Sequence, residues 1–131
     1  MQVDYHDVLR VWREADTIPE LEHAWLFDHL MPIAGAPDGP IYEGWTLLSA
    51  LAAQTHRLRL GLLVTSNRFR SPAMPAKIAT TVDVVSGGRL DLGLGAGSRP
   101  DRPRPGVSTR PTACPSRTPP RPWKAWPRRA R

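Results

Sequence analysis

From Leu58 to Thr65 the chain runs almost without interruption through apolar side chains, with Leu58, Leu60, Leu62, Leu63 and Val64 in eight positions. A run of that length is the pattern of a strand buried on both faces, and strands of that kind belong to parallel sheets covered by helices. Thr65, Ser66 and Asn67 end it with polar groups.

The flanking segments alternate with it. Near the start, Val8, Val11, Trp12 and Ala15 recur at three- and four-residue spacing after Tyr5, which predicts a helix whose buried face they form, limited by Pro19. Ala24 to Phe27 is a short apolar run that surfaces at Asp28 and His29, and a loop rich in Pro and Gly follows through Pro40. The Ala- and Leu-rich segment from Glu43 to Gln54 predicts a second helix. Ser71 and Pro72 suit the cap and first position of a third, continued by Ala73, Ala76, Ile78, Ala79, Val82 and Val85 and stopped by Gly87 and Gly88. Pro75 conflicts with that start, because a proline one turn inside a helix costs about 3 kcal/mol. Arg89 to Leu94 reads as another strand, entering glycines at 93, 95 and 97. Helices alternating with apolar strands predict an α/β fold built of βα units on a parallel sheet.

Charge separates the chain into two regions. Residues 1–97 carry eight basic and eleven acidic side chains, whereas residues 98–131 carry ten basic and one acidic, with nine prolines. The excess of +6 therefore belongs to the tail, and the basic composition says nothing about the folded part. A segment so rich in Pro and Arg, whose large apolar side chains are Val107, Trp123 and Trp126, cannot offset its ordering entropy and is expected to be disordered. The expected organisation is a folded unit over 1–98 and a disordered tail over 99–131. Cys114 is the single cysteine, so neither an internal disulfide nor a thiolate metal cluster can form, and the histidines show no metal-ligand spacing. Without a signal-peptide stretch or an 18-residue apolar run, a cytoplasmic protein is the expectation.

Parallel α/β folds bind ligands beyond the carboxyl ends of their strands. Three such ends are readable: Asp28 with His29; Leu63, Val64, Thr65 and Ser66; and Gly95, Ala96 and Gly97. Adjacent in one sheet, they would place a carboxylate and an imidazole beside hydroxyls and an approachable backbone. Plainer roles fit the same residues. Asp28 could cap or pair at a loop, His29 could be a solvated loop histidine, Thr65 and Ser66 could merely end a strand, and the glycines could serve a tight turn. The glycines lack the spacing and following helix of a dinucleotide fingerprint.

The strings AWLFDHLMP, EGWTLLSALAAQTHRLRLGLLVTSNRFRSPA and KIATTVDVVSGGRLDLGLGAG resemble, in order and spacing, the second, third and fourth βα units of the luciferase-like monooxygenase superfamily. The resemblance covers about Asp4 to Arg99. It implies a TIM-like (β/α)8 barrel, here a partial one of about the first four βα units. It also implies an oxidoreductase that uses FMN or the deazaflavin coenzyme F420 in hydride transfer or monooxygenation of a small organic substrate. Asp28 and His29 would then be the catalytic pair, with His29 the proton carrier. Leu63, Val64, Thr65 and Ser66 would form a bulge with a non-prolyl cis peptide at Leu63–Val64 against the cofactor ring, and Gly95, Ala96 and Gly97 would let a strand approach the ring edge.

Two departures qualify this expectation. The chain is expected to begin inside the first helix, with the first strand of a barrel of roughly 250 residues missing or very short, and after Arg99 the pattern of βα units gives way to Pro and Arg. The chain is thus expected to be a truncated, inactive copy with exposed sheet edges that favour oligomers or aggregates. Reading Pro111 to Arg131 back into GC-rich codons one base out of frame permits YGLPFPDAAEAVEGLAEAC, which resembles the family's continuation, so a frameshift is the expected origin of the tail; the coding DNA tests it. The rival reading is a non-enzymatic interaction protein whose tail, with a P-x-x-P pattern at Pro119–Pro122, binds nucleic acid or a proline-recognising domain.

Overall fold

A computed structural model describes residues 3–34, 36 and 39–96. They form helix α1 (Tyr5–Asp16), strand β1 (His23–Leu26), helix α2 (Gly44–Ala52), strand β2 (Arg59–Ser66), helix α3 (Ala73–Ser86) and strand β3 (Leu90–Gly95). The strands make one parallel sheet in the order β1-β2-β3. The expected α/β architecture is therefore present. The described residues supply three strands, however, rather than about four units, and they form an open sheet. Gly97 and the whole tail, with the disorder, frameshift and tail-binding readings attached to it, lie outside the described residues.

Asp4 starts α1 by accepting the His6 N–H at 2.8 Å. The buried face of α1 is turned from the expected one: Leu9 and Trp12 are buried with Tyr5 and Val8 packed beside them, while Val11 is half exposed. Positions 5, 8, 9 and 12 repeat with the same helical spacing as 8, 11, 12 and 15, so spacing alone does not choose between the two stripes. In α3 the conflict at Pro75 disappears, because the helix begins at Ala73 rather than Pro72, with no side-chain cap. Pro75 then falls in the first turn, where its missing N–H has no intrahelical partner to lose. Gly87 and Gly88 end the helix with φ of 75° and 88°, and the Gly88 N–H reaches the Asp83 carbonyl at 2.8 Å.

The core lies on one side of the sheet. Leu60 and Leu62 of β2 meet Trp45, Leu48, Leu51 and Ala52 of α2, with Ala79 and Val82 of α3 and Leu9 and Trp12 of α1. The expectation that β2 is buried on both faces is corrected: Leu63 is 65% exposed and Val64 40%. The three helices cover one face, and no described element covers the other.

Loops at the opposite end from the candidate site are held by charge. The Asp16 carboxylate accepts the backbone N–H groups of His56, Arg57 and Leu58 at 2.7 to 2.9 Å. The Arg57 guanidinium in turn donates to the carbonyls of Ala15, Asp16, Ile18 and Leu21. Burial opposes ionisation of Asp16, but the three N–H groups outweigh it and hold the carboxyl below its usual value. A carboxyl depressed on folding contributes stability that is complete above its unfolded pKa and lost as pH falls through the folded one. Urea midpoints should therefore hold from neutrality to about pH 4 and fall below it, with a smaller acid loss in Asp16→Asn; equal acid sensitivity of the two proteins would contradict this role.

Arg89 performs a similar task between α3 and β2. Its guanidinium donates to the carbonyls of Ala52, Thr55, Leu58 and Ser86 and to the Thr55 hydroxyl, at 2.7 to 3.1 Å.

Candidate functional site

The end of β2 is irregular, and the irregularity builds the site. Leu62 pairs with Leu92 and Thr65 with Leu94, so two residues of β2 stand opposite Gly93 alone, and the Leu63–Val64 peptide is cis. The extra residue reverses the alternation of side chains. Leu63 and Val64 both face the open side, and Thr65 and Ser66 return to the buried side. Without the bulge, Thr65 would share the face of Leu63.

That reversal brings the Thr65 hydroxyl into a polar network. It accepts the Trp45 indole N–H at 2.9 Å and donates to Asp28 at 2.6 Å. Asp28, in the segment leaving β1, is 4% exposed and also accepts the Ser66 N–H at 3.3 Å. Arg70 completes the set, with two guanidinium nitrogens on the two Asp28 oxygens at 2.7 and 3.0 Å and a further bond to Glu43. Glu43 caps α2 through the N–H groups of Trp45 and Thr46. Burial opposes the charge on both partners, yet Thr46 and Arg70 hold the Glu43 carboxyl below its usual value, and Asp28 and Glu43 keep Arg70 more firmly protonated.

The network joins the tip of β1, the bulge of β2 and the start of α2. Asp28 and Thr65 sit within it and Ser66 borders it, and in this arrangement the Asp28 carboxylate positions the strand tips. His29, next in sequence, is half-buried, with its ring 5.5 Å from that of Phe27. Sequence reasoning missed Arg70, Glu43 and Trp45. Glu43 immediately before Gly44 and Thr46 was the available signal for a helix cap; nothing in local spacing pairs Arg70 with Asp28, 42 positions away.

The glycines of β3 have a packing role. A Cβ on Gly93 would stand 2.5 Å from the Leu62 carbonyl oxygen and 3.2 Å from Val64 Cγ1, and one on Gly95 would collide with Val64 Cγ2. Gly93 and Gly95 thus give Val64 its place on the open face. Ala96 follows, exposed, at the end of the described strand. On the same face Gly61 leaves room for the Trp25 ring, and Trp25, Phe27, Leu63 and Val64 are all partly exposed. At the other end of this face Arg59 hydrogen-bonds Asp91 and lowers its carboxyl below the usual range.

Gly61, Gly93 and Gly95 leave this face flat, and Trp25, Phe27, Leu63 and Val64 make it apolar. Among the described residues no three His, Cys, Asp or Glu side chains converge on a metal position, and no helix is long and apolar enough to cross a membrane.

Comparison with known proteins agrees with this architecture. The family model for luciferase-like monooxygenase matches residues 1–119, past the boundary expected near Arg99. The chain is 43% identical over 74 residues to a phthiodiolone/phenolphthiodiolone dimycocerosates ketoreductase of Mycobacterium kansasii, over 55% of this chain and 20% of that protein. It is 34% identical over 97 residues to 4-hydroxyprotoasukamycin monooxygenase of Streptomyces nodosus subsp. asukaensis, over 70% of this chain and 25% of that one. Among solved structures, monooxygenase RslO1 from Streptomyces bottropensis superposes with a TM-score of 0.62 at 30% identity, over 74% of this chain and 28% of that chain. The coenzyme F420-dependent tetrahydromethanopterin reductase of Methanopyrus kandleri gives 0.62 at 24% identity, over 76% and 26%, and shows the shared fold. The chain therefore spans between a fifth and just over a quarter of the length of these relatives. None of them supports the reading as a nucleic-acid or proline-motif interaction protein. The parallel order of the strands, the bulged tip of β2 and the match over residues 1–119 lead to one assignment: the chain belongs to the luciferase-like monooxygenase family.

Proposed function

We propose that residues 3–96 are the ring-facing part of an FMN- or F420-dependent oxidoreductase, and that residues 1–131 by themselves do not turn over. The observation that carries the reading is the exposed Leu63–Val64 bulge, pressed by Val64 against Gly93 and Gly95 beside the tip that bears His29. One relative is named as F420-dependent, and another, a Baeyer-Villiger oxygenating component from Pseudomonas putida, is described in complex with FMN. Such a cofactor supplies hydride transfer or oxygen activation when bound. Leu63 and Val64 would support the ring, with Gly95, Ala96 and Gly97 along its edge. His29 would hold or deliver the proton at its imidazole nitrogen, and Asp28, Thr65 and Ser66 would fix the tip that carries it. The substrate would be a small organic molecule, and the setting cytoplasmic.

Three strands leave both sheet edges unpaired among the described residues, and this is the ground for proposing inactivity and association of the isolated chain. Titration of the full chain with FMN and with oxidised and reduced F420 should show binding too weak to saturate in the micromolar range; saturable micromolar binding overturns the inactive reading. At millimolar FMN, NMR shifts should concentrate at Phe27, Leu63 and Val64 and disappear in Gly95→Val, whose side chain displaces Val64. Shifts confined to the helical face would refute the ring site.

A further inference from the structure

A groove of about 360 Å³ lies between α2 and α3, on the helical side of the sheet and away from the open face. Trp45 and Ile78 give it an apolar wall, Ser49 and Thr81 bring hydroxyls from the two helices, and Arg70 and Lys77 bring two cations. Its size is at the lower end of small-molecule sites, which combine apolar walls with a few placed polar groups. Lys77 is exposed, and among the described residues no carboxylate pairs with it.

Arg70 keeps bonding capacity beyond the strand-tip network. A guanidinium carries five N–H donors, and Arg70 directs three hydrogen bonds at Asp28 and Glu43. Its Nε has no partner among the described residues, where no buried side-chain nitrogen is left unmatched, so this N–H is accessible. The Glu43 carboxylate also borders the groove, but it is occupied by the N–H groups of Trp45 and Thr46, the Thr46 hydroxyl and Arg70. The groove therefore offers cationic donors beside anions that are already matched. The Ser49 and Thr81 hydroxyls donate to the carbonyls of Trp45 and Lys77, which leaves their oxygens to accept. We infer that the groove binds a small hydroxycarboxylate, with its carboxylate on Lys77 and the Arg70 Nε–H, its apolar body against Ile78 and its hydroxyl on Ser49 or Thr81. Arg70 joins this site to Asp28, so occupancy is felt at the strand tips. The site stands on its own lining and does not draw on the cofactor reading.

The test is an NMR titration of the full chain with 4-hydroxybenzoate at low salt, read at the Trp45 indole N–H and the backbone amides. Saturable millimolar binding is expected, with shifts at Trp45, Lys77 and Thr81 and, relayed by Arg70, at Ser66. Lys77→Met should weaken binding about fivefold, the scale of one exposed charge pair, and Lys77→Arg should retain it. Arg10→Met, which removes an equal charge from the exposed face of α1, should leave binding unchanged. 4-Hydroxybenzyl alcohol, with the same ring and no charge, should bind about fivefold more weakly. Failure of the unaltered chain to saturate overturns the site. So does equal binding of the alcohol, an unchanged affinity in Lys77→Met, or an equal loss in Arg10→Met. Shifts at Trp45 and Thr81 that omit Ser66 would refute the link to the strand tips.

Discussion

Asp28→Ala is expected to destabilise the fold by about 3 kcal/mol, because it leaves the Arg70 guanidinium with Glu43 as its remaining carboxylate and strips buried donors of their acceptor. The Asp28 side chain is fully buried and that of Arg70 is 15% exposed, and the two share both carboxylate oxygens. Loss of the carboxylate also leaves the Thr65 hydroxyl and the Ser66 N–H without their acceptor. Urea unfolding of the full chain measures the effect. Replacing both partners, as Asp28→Leu with Arg70→Met, should recover much of the loss, since an apolar pair of similar volume carries no desolvation cost. A loss below about 1 kcal/mol in the single variant, the scale of an exposed pair, would show that the network does not hold the strand tips together.

Arg89→Ala should cost about 3 kcal/mol, for a different reason. Among the described residues no opposite charge faces this guanidinium at hydrogen-bond distance; it satisfies carbonyls at the end of α2 and the start of β2. Removing it orphans several acceptors at once, each worth roughly 1–3 kcal/mol when buried and unmet, with entering water recovering part of the total. Arg89→Lys should recover less than half of the loss, because an ammonium cannot reach carbonyls on both sides of the planar fork. Full recovery by lysine would show that charge rather than geometry matters. The stretch SGGRL thus has a physical reading: the two glycines reverse the chain out of α3 and the arginine fastens the turn to its neighbour.

Most of the fold was legible because apolar periodicity reports burial directly. The strands were placed within about a residue at β1, β2 and β3, and the glycines at 87 and 88 marked the end of α3. What spacing could not show was which face of β2 would remain open, since a continuous apolar run is compatible with one covered face or two. The same limit applied to α1, where two apolar stripes competed and the one through Leu9 won. In the site, Asp28, Thr65 and Ser66 were identified as strand tips, but their mutual bonding depends on the parity change at the bulge and on Arg70, Glu43 and Trp45, which approach from distant parts of the chain. Gly95 was recognised as a place of close approach; the group that approaches is Val64.

The central position of β2 also governs the order in which the structure can assemble. Among the described residues every pairing in the sheet is parallel and runs through residues 59–66, so no local hairpin there is available to nucleate it. During synthesis β1 leaves the ribosome before β2, its partner among the described residues, and that interval is when chaperones would find their target.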